Sequence, residues 1–140
     1  MKLKITLTIL LCMLLFSCKS QQFTVDNLPE KRLVFGKGGG MTGVIDTYIL
    51  LENGQLFHTN SITKKSEELN SISESKTEEL FDHLDMLQLV NVDFNHPGNV
   101  YYFIEDVNEE FTTKIVWGSF EYGIAPKYKA LYENLIKQIK

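Results

Sequence analysis

The chain has 140 residues, of which 44% are hydrophobic and 23% are charged, and its formal net charge is −4. This length corresponds to one domain, which can bury a core without disulfides or metals to hold it together. The negative charge argues against a nucleic-acid-binding protein, because such proteins present a basic patch.

The first 17 residues resemble the signal peptide of a bacterial lipoprotein. Two early lysines precede an apolar run over residues 5–16, which is shorter than the roughly 20 residues of a membrane-spanning helix. The run ends in Leu15-Phe16-Ser17-Cys18, with leucine three positions before the cysteine and a small residue directly before it. This pattern predicts cleavage between Ser17 and Cys18 and a lipid on the Cys18 thiol. The alternatives are an ordinary signal peptide and a retained transmembrane helix.

A lipid on Cys18 predicts a location in the bacterial cell envelope. Two or three acyl chains hold a protein on a membrane durably, whereas a single chain binds reversibly. Lys19 stands where lipoproteins of the inner membrane usually have aspartate, so the resemblance implies the outer membrane. We therefore expect a lipid-anchored protein that faces the periplasm, with residues 18–29 as an acylated tether and residues 30–140 as one globular domain.

The predicted mature protein has no free thiol. Cys12 lies in the predicted signal and Cys18 carries the lipid, which leaves no cysteine for a disulfide, a metal site or a nucleophile. Removal of the signal also removes two lysines and no acidic residue, so the net charge falls from −4 to −6. Packing alone must then stabilise the domain.

The first part of the domain is predicted to contain three strands, over residues 32–36, 44–51 and 55–59. The adjacent glycines Gly38, Gly39 and Gly40 predict a turn after the first strand, because glycine disfavours the interior of a helix or strand. Asn53-Gly54 predicts a two-residue type I′ turn after the second strand. Residues 60–74 are mostly polar and predict a loop, with room for one more short strand.

The second part of the domain is predicted to begin with a helix. Ser75 and Glu78 have the spacing of a capping box, so the helix should begin at Ser75 and end near Leu89. Strands over residues 100–107 and 111–117 follow, and Pro126 begins a last helix. The order β-β-β-α-β-β-α predicts an α+β domain, an antiparallel sheet of about five strands with two helices on one face.

Patterns of catalysis and metal binding are not found in the chain. No Gly-Lys-Ser/Thr follows the glycines as in a phosphate-binding loop, and neither Gly-x-Ser-x-Gly nor His-Glu-x-x-His occurs. His58, His83 and His96 are not at metal-ligand spacing, although folding could still bring them together. We therefore expect no enzymatic activity, no metal and no cofactor.

Two segments contain more aromatic and amide side chains than a plain sheet requires, one over residues 95–102 and one over residues 117–122. With the glycines they predict a binding surface, because tyrosine and tryptophan dominate binding hot spots. The candidate surface consists of Gly38, Gly39, Gly40, His96, Asn99, Tyr101 and Trp117. The other interpretation, which the sequence favours, is that the aromatic residues form cross-strand pairs within the sheet and an exposed corner.

Residues 32–139 resemble emfourin, a small protein inhibitor of protealysin-type, thermolysin-like metalloproteases. The resemblance lies in the glycine-rich stretch 35–43, the amphipathic helix 79–89, the strands 101–104 and 114–117, and the helix that opens at Pro126. It implies inhibition of a metalloprotease. The whole chain also resembles small lipoproteins of Bacteroidetes-type bacteria that carry no assigned activity.

Three functions are therefore considered. The first is a non-enzymatic binding domain, anchored to the membrane through Cys18, with an envelope protein or a protease as its partner. The second is an emfourin-like inhibitor of thermolysin-type metalloproteases. An enzyme is the third, and it ranks last because the sequence contains no recognisable catalytic set.

Overall fold

The computed structural model describes residues 21–139, so the predicted signal peptide, its cleavage site and Cys18 lie outside the described residues. The strands are β1 (Arg32–Gly39), β2 (Val44–Leu51), β3 (Leu56–Asn60), β4 (Ser66–Glu68), β5 (Asn95–His96), β6 (Val100–Val107) and β7 (Thr112–Trp117). The helices are α1 (Glu74–Leu87) and α2 (Pro126–Ile136), and a short 3-10 turn covers Leu89–Asn91.

The seven strands form a single sheet in the order β4-β3-β2-β1-β6-β7-β5. Neighbouring strands are antiparallel except β5, which runs parallel to β7. The α+β class is confirmed, but the predictions of about five strands, of a wholly antiparallel sheet and of the order β-β-β-α-β-β-α are wrong. The two additional strands lie at the sheet edges and have only three and two residues. β4 lies within residues 60–74, where the sequence left room for one more short strand, whereas β5 was not predicted. Segments this short show no hydrophobic periodicity.

Both helices pack on the same face of the sheet, as predicted. The apolar stripe of α1 is buried, and it consists of Leu80, Phe81, Leu84 and Leu87. α2 contributes Tyr128, Leu131, Tyr132 and Leu135 to the same core. The strands supply fully buried side chains such as Leu33, Phe35 and Ile104. Each such side chain stabilises the fold by about 1.5–3 kcal/mol, so this layer is the main source of stability.

The opposite face of the sheet carries a smaller apolar cluster. Val34 and Phe103 are buried there, although both described helices lie on the other face. A Cβ on Gly36 would overlap the Phe103 ring, because that ring lies across the glycine. Aromatic rings placed over glycines fill the space that a missing side chain leaves in a sheet.

Gln21 and Phe23 contact the hairpin between β2 and β3. Gln55 is 2% exposed, and its Oε1 accepts the N–H of Phe23 at 2.8 Å while its Nε2 donates to the Phe23 carbonyl at 3.1 Å. Asn53 Nδ2 donates to the carbonyl of Gln21. The described part of the predicted tether is therefore attached to the domain at this hairpin.

The β2–β3 turn differs from the predicted type I′ turn. The N–H of Gly54 donates to the Leu51 carbonyl at 2.9 Å, and the N–H of Leu51 donates to the Gln55 carbonyl at 2.9 Å. Gly54 has a φ of +86°, whereas Asn53 does not have a positive φ. This pattern belongs to a three-residue loop with a left-handed glycine at its end. The hairpin was predicted correctly, but its turn is one residue longer.

The start of α1 also differs from the prediction. The helix begins at Glu74, and Ser73 occupies the N-cap position without a side-chain cap. The Oγ1 of Thr77 donates to the Ser73 carbonyl at 3.0 Å, so the predicted capping box at Ser75 is wrong. The hairpin explains the earlier start, because the N–H of Ile72 donates to the Gly54 carbonyl and holds the chain before the helix.

Candidate functional site

Three loops meet at the end of the sheet where residues 40–43 join β1 to β2. We name this the glycine-loop end, and the opposite end, where residues 52–54 turn, the hairpin end. The N–H of Gly40 donates to the Asn99 carbonyl at 2.7 Å, and the N–H of Ser119 donates to the His96 carbonyl at 3.0 Å. Backbone hydrogen bonds therefore join the loop 40–43 to the chain before β6, and that chain to the loop after β7.

The predicted glycines allow close packing between β1 and β6. Gly39 has a φ of +92°, and a Cβ there would overlap the carbonyl of Asn99. A Cβ on Gly38 would overlap the ring of Tyr101. Since both glycines are part of β1, the turn begins at Gly40, later than predicted. The structure thus brings five of the seven predicted surface residues together.

The tips of these loops carry exposed apolar side chains. Met41 and Phe120 are fully exposed, and Val100 is 42% exposed. A Cβ on Gly40 would touch the Val100 side chain, and a Cβ on Gly118 would overlap the Val100 carbonyl. The loop 40–43, the start of β6 at Val100 and the loop after β7 therefore lie side by side, and we name Met41, Val100 and Phe120 the loop-tip surface.

His96 and Trp117 lie on the other side of the sheet from Tyr101. The pairing of β5 with β7 places them opposite each other on the helix-covered face. Trp117 is 5% exposed and stacks on its cross-strand partner Tyr102, with ring centroids 5.9 Å apart. His96 stacks on Tyr122 with centroids 4.0 Å apart. The candidate surface therefore divides into two groups, one on each face of the sheet. Trp117 is part of the core and forms a cross-strand pair with Tyr102, which agrees with the interpretation that the aromatic residues pair within the sheet.

A pocket of about 450 Å³ lies beside Trp117, between the end of β7, the loop after it and α2. We name it the aromatic pocket. Its lining includes the rings of Tyr102, Trp117, Tyr122 and Tyr132 and the polar side chains of Ser119, Lys129 and Glu133. The Tyr132 ring meets the Trp117 ring edge to face, with centroids 5.3 Å apart. The volume falls within the range of small-molecule sites, about 300–1,000 Å³.

Three polar atoms of the pocket rings have no hydrogen-bond partner among residues 21–139. They are Nε1 of Trp117 and the hydroxyl oxygens of Tyr102 and Tyr132. No buried side-chain nitrogen or oxygen in this part of the chain lacks a partner, so these three atoms reach solvent. Burial, with Tyr102 adding to it, raises the pKa of Tyr132 far above its usual value. The Tyr132 hydroxyl therefore stays protonated and can donate a hydrogen bond.

A second polar cluster crosses β2, β3 and β4 on the helix-covered face. Nε2 of His58 lies 3.1 Å from Asp46 Oδ1, and its Nδ1 lies 3.3 Å from Glu67 Oε1. Burial by itself raises the pKa of Asp46, but hydrogen bonds from Asn60 and His58 outweigh it and hold the pKa below its usual value. Within residues 21–139, no serine or threonine hydroxyl is bonded to His58, so the cluster lacks the nucleophile of a hydrolytic triad. We interpret this cluster as structural, because the contact between His58 and Glu67 helps to hold edge strand β4 against β3.

The three histidines lie on three different elements, β3, α1 and β5. Residues 21–139 contain no group of three or more His, Cys, Asp or Glu side chains that could hold a metal ion. None of the helices described in this range is long and apolar enough to cross a membrane.

Sequence reasoning missed five residues of the aromatic pocket: Gly123 and Ile124 after β7, and Lys129, Tyr132 and Glu133 on α2. Tyr132 falls within the apolar stripe of α2 and looks like an ordinary core residue, while charged side chains are common on any helix surface. The aromatic stretch that begins at Trp117 is the signal that marked the site. The contact of α2 with the end of β7 supplies the rest of the lining.

Comparisons with known proteins do not place the chain in a family. No family model matches it, and no curated protein matches it in a sequence search.

Proposed function

We propose that the protein is a lipid-anchored lipoprotein of the bacterial envelope, on the outer membrane and facing the periplasm, whose domain binds a partner protein and catalyses no reaction. The lipobox that ends at Cys18 supports the anchor. The observation that carries the binding function is the loop-tip surface, whose Met41 and Phe120 side chains are fully exposed to solvent. Scattered apolar residues are normal on a surface, but three on adjacent segments at one end of the sheet favour an interaction site.

The position of the loop-tip surface suits a partner in the periplasm. Gln21 is attached at the hairpin end, and Cys18 precedes it by three residues, which reach at most about 10 Å. β2 runs from the glycine-loop end to the hairpin end with 8 residues, a length of about 25 Å. A lipid on Cys18 would thus hold the hairpin end near the membrane and leave the loop-tip surface directed away from it.

The chemistry of the loop-tip surface suits a protein partner. Methionine and phenylalanine are enriched in the cores of protein interfaces, whereas charged residues are depleted there. Burying either side chain contributes about 1.5–3 kcal/mol, so Met41 and Phe120 together can supply a hot spot. The glycines beneath them hold the loops through backbone contacts, which limits the entropy lost on binding.

Site-specific photo-crosslinking in membranes of the native cell tests this proposal. A photo-reactive amino acid at Phe120 should give a discrete adduct with an envelope protein. Met86 is the matched control position, because it is 74% exposed but lies on α1 beside Asp85, whose carboxylate pairs with Lys31 towards the hairpin end. Combined Met41→Ser and Val100→Ser changes should reduce the Phe120 adduct at least about tenfold. Equal adducts at Phe120 and Met86, or none at Phe120, would refute the proposal.

A second candidate is an emfourin-like inhibitor of thermolysin-type metalloproteases. It is supported by the fully exposed Met41 at the tip of the glycine-rich loop, within the segment that resembles emfourin. The full chain should then slow thermolysin in proportion to its concentration. Met41→Asp should weaken the inhibition, while Met86→Asp should leave it unchanged. Absence of inhibition at high micromolar concentration would discard the inhibitor and leave the partner-binding proposal standing.

A further inference from the structure

We propose that the aromatic pocket binds a short saccharide. This site shares no residue with the loop-tip surface, although Phe120 lies on the loop that lines the pocket, and the inference holds even if Met41 and Phe120 bind nothing. It follows from three features of the pocket that occur together: its aromatic walls, its unpartnered polar atoms and the opposite charges at its rim.

One aromatic ring of the pocket, that of Tyr122, is exposed, whereas Trp117 and Tyr132 are 5% and 9% exposed and form the floor of the pocket. The Tyr102 and Trp117 rings are stacked with an interplanar angle of 28°, and Tyr132 closes the pocket edge to face against both of them. Tyr122 is held by its stack on His96 and remains 50% exposed. A ligand with a flat apolar face can lie against the exposed Tyr122 ring, beside the buried rings of the pocket floor, without requiring them to move. The carbon-bound hydrogens on one face of a pyranose ring form a surface of this kind.

The same rings carry polar atoms that suit a ligand able to form several hydrogen bonds. The indole Nε1 of Trp117 only donates, whereas the hydroxyls of Tyr102 and Tyr132 both donate and accept. All three lack a partner within the described part of the chain and reach solvent in the free protein. A ligand that covers them must therefore replace the hydrogen bonds they make with water. Sugar hydroxyls and ring oxygens supply both donors and acceptors at the edge of an apolar face.

A quaternary ammonium ligand is the main competing occupant, because tyrosine and tryptophan rings also bind cations. Such a ligand has no hydrogen-bond acceptor on its cationic group. It would cover the Trp117 N–H and leave it without a partner, which costs binding free energy. The unpartnered indole therefore favours the saccharide.

The rim of the pocket does not select for a charged ligand. Lys129 and Glu133 are one helical turn apart on α2, and both are exposed. Neither forms an ion pair with another described residue. Because their charges are opposite, the rim is neutral overall. The ammonium can donate to a sugar hydroxyl and the carboxylate can accept from one, so a neutral saccharide uses both.

Intrinsic fluorescence provides a direct test, because Trp117 is the single tryptophan of the chain. The full chain is purified in a detergent without a sugar headgroup and titrated with cellobiose, maltose, lactose and diacetylchitobiose, and with choline for comparison. We expect a saturable change in Trp117 emission with at least one disaccharide and none with choline. No change with any of the four disaccharides up to about 10 mM would overturn the proposal. So would a saturable change with choline alone.

Two variants locate the binding in the pocket. Tyr132→Phe keeps the ring and removes the hydroxyl, and it should weaken disaccharide binding about fivefold. Tyr128→Phe is the matched control, because Tyr128 is buried on the same helix but does not line the pocket. Glu133→Gln, at an exposed position, should also weaken binding and does not depend on repacking the core. Equal affinities in Tyr132→Phe, Glu133→Gln and the unchanged protein would show that the sugar binds elsewhere and would overturn the proposal.

Discussion

Substitution of two glycines that both have positive φ separates the cost of backbone conformation from the cost of steric overlap. Gly54 has a φ of +86°, and a Cβ there would overlap the carbonyl of Ile72. Gly43 has a φ of +62°, and nothing lies within 4 Å of a Cβ placed on it. Gly54→Ala should therefore be the more destabilising change, and Gly43→Ala is its matched control.

The magnitude follows from the contacts of each glycine. A left-handed conformation costs an L-residue about 1–2 kcal/mol, and replacing glycine recovers about 0.4–1 kcal/mol by restricting the unfolded chain. Gly43→Ala should therefore cost about 1 kcal/mol or less. At Gly54 the overlap also displaces Ile72, whose N–H donates to the Gly54 carbonyl at 2.9 Å and whose side chain is buried in the core. Loss of that hydrogen bond and of part of the packing adds about 1–2 kcal/mol.

Urea denaturation at neutral pH measures both variants, with the free energy of unfolding extrapolated to water. We expect a loss of about 2–3 kcal/mol for Gly54→Ala, well above the loss for Gly43→Ala. Equal losses at the two positions would refute the reasoning, because the overlap with Ile72 would then contribute nothing.

Three further predictions concern the anchor and the pH dependence of stability. Cys18→Ala should release the protein from the membrane fraction; unchanged retention in fractionated cells would contradict the lipid anchor. The pKa of Asp46 is lowered in the folded state, so its contribution is complete above the ordinary value of 3.8 and is lost as the pH falls through the lower folded value. Asp46→Asn should therefore flatten the acid limb of a plot of unfolding free energy against pH, and an unchanged slope would count against it. Burial, together with the nearby charge of Asp85, raises the pKa of Asp106 above its ordinary value of 3.8. The ionised Asp106 carboxylate therefore destabilises the folded state at neutral pH. Asp106→Asn should be more stable than the unchanged protein at pH 7 and lose this advantage by about pH 3, and lower stability at pH 7 would contradict the sign.

Long periodic segments were predictable from the sequence, whereas short and polar ones were not. The stripe of α1, the apolar run that begins β6 and the alternation in β7 each contain enough apolar positions to be recognised. β4 and β5 are too short to show such a period. Hydrogen bonds to a neighbouring strand hold them in place, and those bonds cannot be read from the local sequence. The capping box predicted at Ser75 is wrong for a related reason. The bond between Ile72 and Gly54 ties the chain before α1 to the hairpin, and tertiary contact thus moved the helix start ahead of the local signal.

The sequence by itself determined the α+β class and the apolar stripes of both helices, because each depends on residues close together in the chain, while the lipobox at Cys18 stays a prediction. The grouping of the candidate site residues was decided only by the tertiary structure. Strand pairing placed Tyr101 and Trp117 on opposite faces, although both were assigned to one surface. The contact of α2 with the end of β7 added Tyr132 to the aromatic pocket from a position 15 residues away in the chain. Sheet register and helix docking depend on packing between distant segments, and no local pattern specifies that packing.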